Sequence, residues 1–337
     1  MGTSTLRKIQ YGKETVAGIA VAATKVLPIS NVPPIQPDRK PTYPRENVGV
    51  LADAVRAYNT GILVRDKLKW STGYHQILPL LFSCGVKGNV TATETTGGQH
   101  DYAWAFTPAL TGASNAQDSI TLERGDDTFM VETEYVKFDS IKISGEINQD
   151  GEDSACTIEA GYFGRQNTVT AFTAGLTIPA LTPINAKLAR FYLDTAWAGV
   201  GSTEKTATLR GFNIEIMTGL HPKFLGSTAE YFTRHGEGPM GIMASFTFEG
   251  NSNMAAIFAA QQAVSLQVSR LLIIGPQIGS GVSHKLQIDI GGAWESIVPL
   301  ASESNGNNLW TAVLRGYYDP TGAKMFGVDV VTDTNTI

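Results

Sequence analysis

Apolar and polar residues alternate with a period of two along several stretches of the chain. Ile141, Ile143 and Ile147 are interleaved with Lys142, Ser144 and Glu146, Phe212, Ile214 and Ile216 with Asn213 and Glu215, and Leu286, Ile288 and Ile290 with Gln287 and Asp289. That period predicts strands with one face buried and one face wet. Glycine occupies 35 positions, and clusters such as Gly97-Gly98, Gly291-Gly292 and Gly279-Ser-Gly281 read as the turns that many short strands need. The expected fold class is mainly β, with little helix.

Helix is expected in two places with matching contexts. A strand at Asp66–Trp70 is followed by polar Ser71-Thr72-Gly73 and the apolar stretch Tyr74–Cys84, which Gly85 ends. A strand at Ser245–Glu249 is followed by Gly250-Asn-Ser-Asn253 and the apolar stretch Met254–Gln262. Thr72 and Ser252 are the candidate N-caps, and Pro79 makes the first helix either start late or kink. Strand is expected again where Val264, Leu266 and Val268 alternate with Ser265, Gln267 and Ser269. The two strand, cap and helix units lie about 180 residues apart, a spacing that suggests internal duplication.

Between Pro28 and Pro44 the chain carries six prolines. Proline lacks an amide donor and fixes φ, which excludes a central strand or a helix there. Two readings follow, an extended surface linker or an arm that lies on a neighbouring subunit. Apolar Ile29, Val32, Ile35 and Tyr43 among the prolines favour the arm, and these four are the candidate inter-subunit contacts.

At 337 residues the chain has room for two ordinary domains, expected at 1–168, with the proline-rich arm, and 169–337. Hydrophobic residues make up 42% and charged residues only 17%, so a core can be filled while few charges remain to coat an isolated surface. Much of that surface is expected to be covered by partners. The formal net charge of −5 argues against a protein that grips nucleic acid by counterion release. Cys84 and Cys156 have no CxxC spacing, which fits a reducing compartment better than a disulfide framework or zinc site. Met1–Lys13 lacks the apolar segment of a secretion signal, and the apolar run Leu271–Ile274 is far too short to cross a bilayer. Neither secretion nor membrane insertion is expected.

Candidate chemistry is sparse. The sequence holds no GxxxxGK[ST] loop, no GxGxxG after a strand and no GxSxG elbow, and His75, His100, His221, His235 and His284 are scattered singly. Glu146-Ile-Asn148-Gln-Asp150-Gly151 resembles the start of a calcium loop, but the twelfth position is Thr157, where a bidentate glutamate is needed. A hairpin turn at Asp150-Gly151, joining Ile141–Ile147 to Ala155–Ala160, accounts for it. Trp70, Trp104, Trp197, Trp294 and Trp310 have no basic residues interleaved and read as core or interface anchors. The expectation is a protein with no catalytic residues, cofactor or metal.

Several segments resemble siphophage major tail tube proteins. Tyr11-Gly-Lys-Glu-Thr15 with Ala17–Ala23 looks like the family's opening, and Ile77-Leu-Pro-Leu-Leu-Phe82 and Phe138–Ile147 resemble its short helix and a following strand. In the second half Leu209–Leu220, Leu286–Ile290 and Tyr317-Tyr-Asp319 are similar to the same family. The resemblance implies a β-sandwich or incomplete barrel flanked by a short helix, in two tandem copies here, whose sheets join those of neighbours into a stacked tube. It also implies a homo-oligomer, as a trimeric pseudo-hexameric ring or alternatively a hexamer, with tape measure, terminator and distal tail proteins as further partners. Phage DNA would pass the lumen without specific binding, and the protein would be assembled in the host cytoplasm and reside in the virion tail. Two other readings stand beside it. One is a β-rich virion decoration or receptor- or glycan-binding protein, with Thr91–Gln117 as its candidate loop. The other is a β-sandwich hydrolase whose carboxylate pair converges only in the fold.

Overall fold

The structure is a computed structural model describing residues 3–30, 32–148, 153–279, 281–304 and 306–337. Strands take 46% of the chain and helix 9%, so the protein is mainly β, built around a large antiparallel sheet. The alternating stretches are strands as expected, with wider limits except that Ile147 falls just past the end of its strand. Ile141 and Ile143 belong to Met130–Glu146, Ile214 and Ile216 to Leu209–Met217, and Ile288 and Ile290 to Ser283–Ser304.

One pairing scheme occurs twice. In the first half Lys8–Lys13 pairs with Ile120–Gly125, which pairs with Met130–Glu146, then Thr157–Gly164, then Val64–Trp70. In the second half Ala189–Asp194 pairs with Gln267–Gln277, which pairs with Ser283–Ser304, then Asn307–Gly316, then Gly241–Glu249. Every pair is antiparallel, and the chain visits corresponding strands in the same order. Helix α1 (Leu78–Gly85) follows Val64–Trp70, and helix α2 (Asn253–Gln262) follows Gly241–Glu249. They pack on corresponding strands, α1 on Met130–Glu146 and α2 on Ser283–Ser304.

Smaller features recur as well. Lys25–Val26 lies beside Lys8–Lys13, pairing Tyr11 with Lys25, and a bridge pairs Tyr192 with Glu204 in the second half. Asn167–Val169 returns to the start of Met130–Glu146, as Phe326–Thr332 returns to the start of Ser283–Ser304. Leu209–Met217 joins the halves, lying between residues 140–146 and Gly241–Glu249. Tyr102–Phe106, from the first half, extends the second by pairing with Phe326–Thr332.

A single hydrophobic cluster runs through both halves, from Trp70, Phe82 and Phe138 to Phe191, Phe246, Phe248 and Trp294. Phe191 sits 4.8 Å from Phe246 and 5.1 Å from Phe248, centroid to centroid, with tilted rings that suit their quadrupoles. A satellite cluster of Tyr135, Phe163, Leu220 and Phe232 lies beside it.

Four local expectations need correction. Helix α1 starts at Leu78, after a 3-10 turn at His75–Ile77, with Ile77 at its N-cap, so Thr72 does not cap it. Pro79 accounts for the late start, because proline is tolerated in the first turn of a helix and not further in. Ser252 does occupy the N-cap of α2, but its side chain makes no capping bond, and Asn251 Oδ1 accepts from the Asn253 amide at 2.9 Å instead. The strand expected from Val264 begins at Gln267, and Val264 itself sits in a turn at φ 47°.

Gly291-Gly292 is not a turn either, since both lie within Ser283–Ser304. A Cβ on Gly292 would come 2.1 Å from the Arg315 carbonyl oxygen, so glycine serves close backbone approach there. Gly279 and Gly281 do flank an antiparallel return between Gln267–Gln277 and Ser283–Ser304, with the Ile278 amide donating to Val282 O at 2.9 Å. The turn expected at Asp150-Gly151 lies outside the described residues.

Candidate assembly surface

The proline-rich segment is extended, as its missing donors require, and it lies along Val64–Trp70. Pro28 O accepts from Trp70 Nε1 at 2.6 Å, and Ser30 Oγ accepts from the Ser71 amide at 2.8 Å. At the far end Leu63 donates its amide to Asp38 O at 2.9 Å, and Arg39 bridges to Ile62. Asn167 fastens the middle, donating its amide to the Asp38 carboxylate and its Nδ2 to Gln36 O, both at 2.9 Å. The segment thus occupies the edge of Val64–Trp70 that corresponds to the edge of Gly241–Glu249 taken by Leu209–Met217. With prolines at 33, 34 and 37 it lies beside the strand without forming a continuous ladder.

The four candidate contact residues divide. Ile29 and Val32 are half-buried against the chain's own core, Ile35 is half-buried, and Tyr43 is 61% exposed. Beyond Tyr43 a loop is closed by reciprocal backbone bonds between Thr42 and Tyr58, of 2.8 and 3.1 Å. It exposes Val48, Val50, Leu51 and Val55. Surface ion pairs Arg45–Asp53 and Arg56–Glu46, each 2.9 Å, contribute little to holding it. These apolar residues were overlooked in the sequence, where the signal was their presence in a stretch with no helical or strand period.

In the second half, Ser283–Ser304 runs on past Gln267–Gln277 and Phe326–Thr332, the strands that pair with its first part. Residues 294–304 pair with Asn307–Gly316 along one edge, through two register shifts, and with no other strand among the described residues. Val298 is 51% and Leu300 64% exposed there. The whole chain exposes 16038 Å². A compact monomer of 36.1 kDa exposes about 13,400 Å², so the surface is about one fifth in excess.

Charged groups that are buried are locked into the fold. Arg124, fully buried, donates to Asp66 at 2.6 Å, its guanidinium 6.0 Å from the Tyr162 ring centroid. The Glu14 carboxylate accepts from Ser119 Oγ at 2.6 Å and from the Gly18 and Tyr135 amides at 2.7 Å. Lys137 donates to the Gln117 and Asp118 carbonyls, and burial pushes its pKa down to about 8. Burial raises both thiols, Cys156 to about 12 and Cys84 further, so at neutral pH neither is a nucleophile. His75 stacks on His284 at 5.2 Å, with both His75 ring nitrogens buried and without hydrogen-bond partners, and burial pushes its pKa down to about 3.

Thr91–Gln117, the candidate recognition loop, contains Thr93–Glu94 and Tyr102–Phe106. It covers α1, placing Phe106 5.5 Å from Phe82. Of the five tryptophans, Trp70, Trp104 and Trp294 are buried, and Trp197 and Trp310 are half-buried. Among the described residues no three His, Cys, Asp or Glu side chains converge as a metal site, and no helix is long and apolar enough to cross a membrane. What fold and surface define is a mainly β protein with open sheet edges and exposed apolar extensions. Neither the protein-family models nor the curated proteins compared with the chain give a match.

Proposed function

We propose that the chain is a structural subunit that stacks with copies of itself into the tail tube of a long-tailed bacteriophage, a conduit for DNA ejection. It carries out no reaction, and its working parts are sheet edges and one sheet face. The observation that carries the reading is the recurrence of one pairing scheme in both halves, joined through Leu209–Met217 into one sheet. On this reading residues 1–168 and 169–337 are two tail-tube units, and three chains close a ring of six. A ring of six chains, each a single unit with a large insertion, is the alternative.

The joined sheet supports a lumen through its polar face. Across four strands that face runs Ser144, Asn213, Ser245, Val313 in one row and Lys142, Glu215, Met243, Arg315 in the next. Short hydroxyl and amide groups with charges of both signs give phosphates no run of cations to release counterions onto, so DNA passes without being gripped. Tape measure, terminator and distal tail proteins would contact the tube at its bore and ends. Sedimentation with negative-stain microscopy tests the reading. Rings or tubes are expected, and a strictly monomeric species at high concentration would sink it.

A further inference from the structure

We infer that the open edge at residues 294–304 receives the proline-rich arm, residues 28–38, of a second copy of this chain. The inference rests on the self-assembly reading above and deepens it by naming the two surfaces that meet.

The chain contains its own template for the joint. Residues 140–146 carry Thr157–Gly164 on one edge and Leu209–Met217 on the other. Residues 294–304 stand in the corresponding position, carry the corresponding strand Asn307–Gly316, and have their second edge open among the described residues. The segment that corresponds to Leu209–Met217 is the arm. It follows Lys25–Val26 as Leu209–Met217 follows Glu204, and it lies along Val64–Trp70 as Leu209–Met217 lies along Gly241–Glu249.

Within the chain, Leu209–Met217 is paired on both edges, whereas among the described residues no second strand pairs with the arm. The missing neighbour of the arm and the missing neighbour of the hairpin are therefore each other, on different copies. Because the two surfaces differ, the contact is heterologous and repeats head to tail, which forms a ring where the rotation between copies closes.

Proline on both sides, at 33, 34 and 37 of the arm and at 299 of the edge, is compatible with this joint. It limits ladder bonding, leaves side-chain packing to hold the contact, and discourages indiscriminate edge-to-edge pairing. Exposed Val298 and Leu300 supply the apolar surface on the hairpin side.

The template also sets a register. Ser30 lies beside Ser71 and Trp70 much as Leu209 pairs with Phe248, so Gln36 takes the position of Glu215. Trp70 pairs with Ile158 as Phe248 pairs with Trp310, so Val298, opposite Thr311, takes the position of Lys142, opposite Glu159. Glu215 and Lys142 are direct partners within the chain, which makes Gln36 and Val298 neighbours across copies.

The test uses two full-length chains distinguishable by size, one carrying Gln36→Cys and the other Val298→Cys, mixed, assembled and oxidised. Both positions are exposed, and the native Cys84 and Cys156 are fully buried, so the new thiols are the reactive ones. A disulfide-linked heterodimer is expected as the main product, and replacing Gln36→Cys by a Ser227→Cys control should abolish it. Rings or tubes visible by microscopy without that heterodimer, or with only homodimers in which each variant is linked to itself, overturn the edge assignment and leave the self-assembly reading intact. Chains that stay monomeric under all conditions overturn both.

Discussion

Acidification should unlock the joint between the 3-10 turn and the second half through His75. In the folded chain this imidazole is buried, stacked on His284, without partners for either nitrogen, and burial holds its pKa down at about 3 against an ordinary 6.5. The unfolded chain therefore binds a proton below about pH 6.5 that the folded chain refuses. The resulting stability is fully present above that pH and is lost as pH falls toward 3. Between pH 7.5 and pH 5 the loss works out at about 2 kcal/mol, from 1.36 kcal/mol per pKa unit. Burial lowers the His284 pKa as well, with Asp333 opposing, and raises those of Glu134 and Asp329, so the total pH profile mixes several groups. Comparison with His75→Leu isolates the one that matters. Urea denaturation of both proteins at the two pH values should show the native chain losing about 2 kcal/mol more than the variant. Parallel losses would refute the reasoning.

Asp66→Ala leaves the buried Arg124 guanidinium without its counter-ion, and should lower unfolding stability by about 3–5 kcal/mol in urea titrations. Phe82→Ala empties a fully buried position on α1 against Phe106 and should cost about 3–5 kcal/mol by the same measurement. Trp70→Phe removes the bond from Nε1 to Pro28 O, worth about 1 kcal/mol, and limited proteolysis should show faster cleavage within 28–44 while the core resists.

Much of the fold was legible because the strands are half-buried. Ile214 and Ile216 face the core while Asn213 and Glu215 face outward, and that alternation is visible without coordinates. The repeated helix was legible for the same reason, as a strand followed by polar residues and an apolar run. Why the two helices share so little sequence was not legible. Helix α1 is buried on all sides, with Tyr102–Phe106 over it, whereas α2 fully buries only Met254 and Ile257 and leaves the rest half-buried or exposed. The same topological position thus asks for different residues. Nor could Gly291-Gly292 be told from a turn, since close approach to Arg315 and Trp197 depends on partners far along the chain. The open edge at 294–304 was invisible for a related reason: a missing neighbour leaves no periodic mark in the strand that lacks it.

A cross-section of the assembled particle by cryo-electron microscopy tests the central claim most directly. The account predicts rings of three chains in which the two halves alternate around a continuous sheet, with its polar face toward the bore. Six identical chains in each ring, or particles that enclose no bore, would contradict it.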